Sequence, residues 1–163
     1  MHVVIDTNVL IAANQIDCPQ ANLACVLTCQ QFLQSLQQTG AVVIDRRRLI
    51  LSEYGNKVYP NRARVGDKFL KWLLINQGNP KYCTQIDITP HPIRQFVEFP
   101  DDPALAQFDP SDHKFVAVAI AYPSSQGDRP SIHNAVDSDW QIYGAALKRY
   151  VTIVELCPHC LKS

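Results

Sequence analysis

Two rhythms of apolar residues alternate along the chain. A short β-branched run, His2 to Ile5, ends abruptly in Asp6 and predicts a buried parallel strand. Pro19 opens a segment to about Gln38 with Leu23, Val26, Leu27, Leu33 and Leu36 at helical spacing, closed by Thr39-Gly40. Its polar face is built from glutamines. Ala41 to Ile44 reads as a second strand, and Arg46 to about Val58 as a helix ended by Pro60. Val65 to Asn76 is an amphipathic helix whose Phe69 and Trp72 sit at core spacing, and Tyr82 to Ile88 alternates as a strand does. Four prolines between 89 and 108 predict loop, with one short helix around Ile93 to Val97. Asp109-Pro110 then opens a helix to Tyr122, with Asp109 as N-cap and Asp112 in the first turn. After a turn-rich connector over 123–130 come a strand from Ser131 to Val136 ending in Asp137, a helix from Asp139 to Tyr150, and a strand from Val151 to Leu156. Strands alternating with helices predict an α/β fold, a mostly parallel sheet with helices on both faces.

Length and composition narrow this picture. The 163 residues suffice for one domain, 1–163, with a C-terminal tail from about 157. Apolar residues make up 47% and no run approaches the ~18 needed to span a bilayer; Asp6 and Asn8 interrupt the longest, 3–13. No leader pattern is visible, so the expected setting is cytoplasmic and no membrane partner is expected. Six cysteines (Cys18, Cys25, Cys29, Cys83, Cys157, Cys160) then read as reduced thiols. Cys157-Pro158-His159-Cys160 has the shape of half a zinc site, and Cys25 and Cys29 share a helix face; four ligands in zinc spacing are not evident, so the tail reads as exposed. His113, beside Asp112, reads as a surface helix position.

The candidate chemistry lies in carboxylates. In parallel sheets ligands gather outside the carboxyl ends of the strands, where Asp6 and Asp137 fall. Asp112 adds a third acid from a helix start, and Glu53 a fourth from an otherwise apolar helical stretch. Asp6, Asp112 and Asp139 are equally placed to cap or open helices, whereas Glu53, an acid inside an apolar helical stretch, is the hardest to explain structurally. If the four converge, each pair ~5 Å apart costs roughly 3 kcal/mol at an effective dielectric near 20. Such a cluster calls for a hard cation, Mg²⁺ or Mn²⁺, which takes oxygen ligands and commonly serves phosphate chemistry.

Four segments carry a resemblance to a known family: VVIDTNVL with Asp6, Thr7 and Asn8; LSEYGNKV with Glu53; FDPSDHKFVAVAIAY with Asp112; and AVDSDWQIYG with Asp137 and Asp139, followed by VTIVEL. In order and spacing they resemble the PIN domain family, over nearly the whole chain. The resemblance implies a three-layer α/β/α, PIN-like fold and a metal-dependent ribonuclease. It implies that Asp6, Glu53, Asp112 and Asp137 are catalytic and hold one or two Mg²⁺ or Mn²⁺ ions, that Asp139 is an auxiliary metal-binding acid, and that Asn8 orients the metal. Hydrolysis of RNA by water activated at the metal follows from it. An antitoxin-like protein and a second copy of the chain, as a homodimer, are the further partners it implies. Where the family has Thr or Ser two residues before the last acid, this chain has Ala135. A PIN-like RNA-binding or partner-binding module of little activity is the alternative. A haloacid dehalogenase would need a second Asp where Asn8 stands, and a receiver domain needs paired acids that the order here does not supply.

Charge distribution fits a polyanionic substrate. The overall balance is zero, 15 basic against 15 acidic residues. Residues 46–72, however, hold eight basic and two acidic residues, net +6, and 83–112 hold one basic and six acidic, net −5. The neutrality is a cancellation between segments. Arg46, Arg47, Arg48 and Lys57 are the candidate phosphate-binding residues.

Overall fold

The computed structural model describes residues 1–124 and 128–160. The strands are β1 (Val3–Ile5), β2 (Val42–Asp45), β3 (Cys83–Ile86), β4 (Pro90–His91), β5 (Gln95–Phe96), β6 (Ser131–Asn134) and β7 (Thr152–Glu155). The helices are α1 (Thr7–Asn14), α2 (Leu23–Thr39), α3 (Leu49–Lys57), α4 (Val65–Asn76), α5 (His113–Ala121), α6 (Asp139–Ile142) and α7 (Gly144–Leu147). Five strands form an all-parallel sheet in the order β3-β2-β1-β6-β7, and β4 pairs antiparallel with β5 in a separate hairpin. Val3, Val4 and Ile5 are buried throughout because β1 is the central strand, covered on both faces. Helices α1, α2 and α4 pack on one another, while α5 lies against β1, β2 and β6. The result is the α/β/α layering that the alternation of elements predicts.

The strand order places the ligand crevice. From β1 the chain winds outward through β2 to β3, then returns to pair β6 with the other side of β1, Val3 opposite Ser131 and Ile5 opposite His133. The direction of winding switches between β1 and β6, and such a switch leaves an opening at the carboxyl edge. Asp6 leaves β1 and Asp137 follows β6 at that edge.

Helix α1 is fastened at both ends. The Asp6 side chain caps its start, accepting from the Asn8 amide at 3.4 Å. At its far end Asn14 Oδ1 accepts from the amides of Gly66 (2.7 Å) and Asp67 (3.3 Å), and Asn14 Nδ2 donates to Asp67 Oδ1 at 2.9 Å. Asp67 also accepts from the amides of Tyr59 and Arg64, so this buried carboxylate closes the start of α4. Gly66 sits where any side chain would collide with the Leu10 carbonyl oxygen and the Asn14 amide.

Several sequence expectations change. The 93–97 segment is part of a hairpin: Arg94 donates to the carbonyls of Phe99 and Val97, and Gln95 takes a left-handed φ of 69°. The segment 139–150 is two short helices broken at Tyr143, and the helix expected from Pro19 begins at Leu23, capped by Asn22. The expected helix start at Arg46 is a turn; α3 begins at Leu49, where buried Asp45 accepts from the amides of Leu49 (2.9 Å) and Ile50 (2.8 Å). The helix opened by Pro110 starts with a 3₁₀ turn to Asp112. Of the 123–130 connector, residues 125–127 lie outside the described residues, as do 161–163 of the tail.

The thiol expectation is overturned most clearly. Cys25 and Cys157 form a disulfide with Cα atoms 5.3 Å apart, so the cysteines are not all reduced. Nor is residue 157 the start of an exposed tail, because Cys157 is wholly buried in the core. The short strand β7 brings it back onto α2, a contact between segments too distant for spacing to reveal. Among the described residues no helix is long and apolar enough to cross a membrane.

The tight α1–α4 contact yields a prediction. Gly66→Ala should lower unfolding free energy by about 1–3 kcal/mol, the usual cost of overpacking, read by chemical denaturation. Wild-type stability in this variant would mean that α1 and α4 stand further apart.

Candidate metal centre

Three of the expected acids meet. Asp6, Asp112 and Asp137 each offer a carboxylate oxygen, and these oxygens lie within 4.8 Å of one another. Asp6 reaches this point from the end of β1, Asp137 from the turn after β6, and Asp112 from the 3₁₀ turn that leads into α5. A second group with the same spacing joins Asp112 to Asp109 and Asp139. Asp112 belongs to both, so the acids form one continuous patch.

The electrostatics are those of crowded, partly dehydrated anions. Burial, chiefly, and then the Asp137 and Glu53 charges push Asp6 up to about 7, against the lowering effect of hydrogen bonds from Trp140 and the Asn8 amide. Asp112 is pushed up to about 9 by burial first and then by Asp6, Asp137, Asp109 and Glu53. Asp137 is raised mainly by burial, with Asp139 and Asp109 adding to it. The donors are all oxygen, which suits Mg²⁺ or Mn²⁺ and not a thiophilic ion. A cation relieves the shared strain of all three carboxylates at once.

Glu53 stands apart. It is absent from both close groups, and its oxygens are taken: Thr7 donates to Oε2, and Lys114 Nζ donates to Oε1 at 2.9 Å. Lys114 is itself buried, and it also donates to the Ser111 carbonyl. This ion pair explains an acid in an apolar helix better than composition could. Asn8 does not point into the cluster. Its Oδ1 accepts from the amides of Ala135 (2.8 Å) and Val136 (3.2 Å), and its Nδ2 donates to Asn134 Oδ1 at 2.8 Å. Asn8 therefore positions the turn that carries Asp137. Ala135, without a hydroxyl, supplies that turn through its backbone N–H.

Asn134 continues the same bracing. Its Nδ2 donates to the Asp137 carbonyl at 2.8 Å and to Glu155 Oε2 at 2.7 Å. Asp137 Oδ1 in turn accepts from the Asp139 amide at 2.9 Å. The Trp140 indole N–H, fully buried, donates to Asp6 Oδ2. Sequence reasoning missed Lys114, Trp140, Asn134 and Asp109 as parts of the site. Asp109 was legible only as an N-cap, which it also is, accepting from the Ser111 amide. His113 is corrected from surface to interior: its ring lies 3.7 Å from that of Phe99, and both nitrogens face carbonyls, those of Arg94 and Phe108, at 3.0 Å.

The expected phosphate binders are all exposed, the three arginines at the carboxyl edge and Lys57 with Asn14 at the far ends of α3 and α1. Arg46, Arg47 and Arg48 follow β2, and Lys57 lies in the last turn of α3. Arg46 is tied to Asp87 at 3.1 Å and Arg48 donates to Gln77 at 2.8 Å. Among the described residues Arg47 and Lys57 form no ion pair. A hollow of about 240 Å³ bounded by Leu49, Phe96, Ser111 and Lys114 adjoins the Glu53 side of the site. Two larger cavities, about 590 and 530 Å³, lie at the opposite edge around His2, Arg129 and Thr152 and hold none of these acids.

No family model, no curated protein and no solved structure matches this chain. The geometry therefore has to carry the functional argument.

A pH dependence follows from the raised acids. Unfolded carboxyl groups lose their protons near pH 4. Between about pH 4 and the elevated values these carboxyl groups hold more protons folded than unfolded, so their contribution to stability falls as pH rises; buried His133, lowered to about 4, opposes this up to about pH 6.5 but is one group against three acids. Metal-free protein should melt at a lower temperature near pH 8 than near pH 5, and Mg²⁺ or Mn²⁺ should raise the melting point more at the higher pH. Asp112→Asn should raise the metal-free melting point near pH 8 and shrink the response to the cation. A wild-type melting curve indifferent to cation at both pH values would show that the acids do not gather an ion.

Proposed function

We propose that this chain is a PIN-like, Mg²⁺- or Mn²⁺-dependent endoribonuclease that hydrolyses phosphodiester bonds in RNA. The observation that carries the reading is the meeting of Asp6, Asp112 and Asp137 at the carboxyl edge, on the two sides of the β1–β6 switch. The four segments that resemble PIN domains carry these same acids together with Glu53.

In this reading Asp6, Asp112 and Asp137 hold the cation, and Asp139 with Asp109 extends the acidic wall. A bound divalent ion supplies Lewis acidity toward a phosphate oxygen and eases deprotonation of water. The chain's own residues do the rest. Trp140 and the Asn8–Asn134 pair hold Asp6 and Asp137 in place, and buried Lys114 pairs with Glu53. Arg47 and Lys57 present mobile cationic heads to the RNA backbone, which lowers the repulsion between the acidic patch and a polyanion.

One observation favours the alternative, an RNA-binding module of little activity. Lys114 occupies Glu53, so one acid of the set is already neutralised by the protein. The two readings separate in one assay. Labelled RNA incubated with protein and Mn²⁺ should be cleaved, and Asp6→Asn or Asp137→Asn should reduce the rate by more than about 100-fold, since loss of even an outer partner of a metal ligand costs 10–100-fold. Cleavage that survives EDTA or Asp6→Asn would overturn the nuclease reading; retention of RNA with no cleavage under any divalent ion would favour the alternative.

The basic residues are tested separately. Arg47→Ala should weaken RNA binding and reduce the slope of log K against log salt by about 0.7–0.9. An unchanged slope would place Arg47 off the phosphate path.

A further inference from the structure

Five of the six cysteines collect at one place, on the side of the sheet where α2 meets the end of the chain. Cys25 and Cys29 are one helical turn apart on the inner face of α2 and are wholly buried. Cys157 enters between them: it is bonded to Cys25, and its sulfur is 4.0 Å from Cys29 Sγ. All three sulfurs lie within 4.8 Å of one another. Cys160 follows on a 3₁₀ turn in which its amide donates to the Cys157 carbonyl at 2.9 Å, and Cys18 comes from the loop before α2. Both are part-buried against the core, near enough that their charges add to burial in pushing the Cys29 thiol up to about 12.

A disulfide uses two of these sulfurs and leaves three thiols gathered around it. Buried cysteines also pack as small apolar side chains, but a tetrahedral thiolate centre accounts for thiols from three separate segments meeting at one point. With metal–sulfur bonds of ~2.3 Å, its sulfurs stand roughly 3.8 Å apart, close to the Cys29–Cys157 separation. The pairing is also that of such a centre: a C-x₂-C turn at 157–160 facing a helical pair at 25 and 29.

We propose that Cys25, Cys29, Cys157 and Cys160 form a four-thiolate site for Zn²⁺, of which the Cys25–Cys157 disulfide is the oxidised, metal-free form. Reduction by a dithiol transfers two electrons and two protons to the disulfide, giving the Cys25 and Cys157 thiols and a cyclic disulfide of the reductant. The four thiols then release four protons as they bind one Zn²⁺. Cys160, outside the close group of three, turns inward as the Cys25–Cys157 bond opens. In either state the site fastens the C-terminal segment to α2, and it is separate in chemistry from the carboxylate centre.

The test uses the full chain, reduced with a dithiol, freed of reductant without air and titrated with Cd²⁺. Cadmium bound to thiolate gives a near-ultraviolet charge-transfer band that carboxylates do not produce, so the acidic patch is silent in this readout. One equivalent should saturate the band, and Zn²⁺ should displace it. Wild-type protein kept oxidised should give no such saturating band. Cys29→Ser and Cys160→Ser, which spare the disulfide, should each weaken binding by more than about 100-fold, beyond what loss of an outer partner costs. Cys83→Ser and Asp137→Asn should leave the band intact, which also separates this result from the nuclease reading. No stoichiometric band in the reduced wild type, or full binding in Cys29→Ser or Cys160→Ser, would overturn the proposal.

Discussion

Mutual repulsion among three carboxylates is the constraint to which the centre of this molecule is built. Carboxylate oxygens of Asp6, Asp112 and Asp137 stand within 4.8 Å of one another; Asp6 and Asp112 are buried and Asp137 half-buried. At such spacing each ionised pair is unfavourable by roughly 3 kcal/mol even at an effective dielectric near 20. The surrounding bonds oppose that force from several directions. Trp140 holds Asp6 from behind, and Asn8 fixes the two amides that precede Asp137. Asn134, anchored to Glu155 on the neighbouring strand, holds the Asp137 carbonyl. Two amide side chains thus set the geometry of acids that would otherwise separate.

The same region shows how a neutral protein can still be strongly polarised. Segment 83–112 is net acidic and 46–72 net basic, and Lys114 is buried against Glu53. Glu53 is shared between the two charge systems, bonded to Lys114 while acting on Asp6 and Asp112 through space. Cancellation at this scale leaves no net field at a distance but large gradients within one Debye length.

Much of this was legible in the sequence because local patterns determined it. Asp6, Asp112 and Asp137 lie at strand ends or helix starts that hydrophobic periodicity locates unaided. What escaped depends on contacts between distant segments. Lys114 reads as one lysine in an apolar helix until Glu53, on α3, is placed beside it. His113 reads as exposed until the 94–108 loop folds over it and supplies two carbonyls and the Phe99 ring. The bond between Cys25 and Cys157 has no short-range trace at all. The family resemblance implied that Asn8 orients a metal, but its side chain holds the backbone amides of residues 135 and 136, a role that residue type alone does not distinguish from ligation.

The place of β6 in the sheet has a consequence for how the protein is made. Strand β1 is synthesised first, yet its partner on one side arrives only near the end of the chain. Asp6 is therefore made well before its partners, and Asp137 and the Asn134 brace reach it only after β6 has emerged and inserted. A nascent chain that stops before that strand has β1 with one edge open and an incomplete set of acids. Such late, long-range pairing slows folding, and it makes completion of the acidic centre wait for β6.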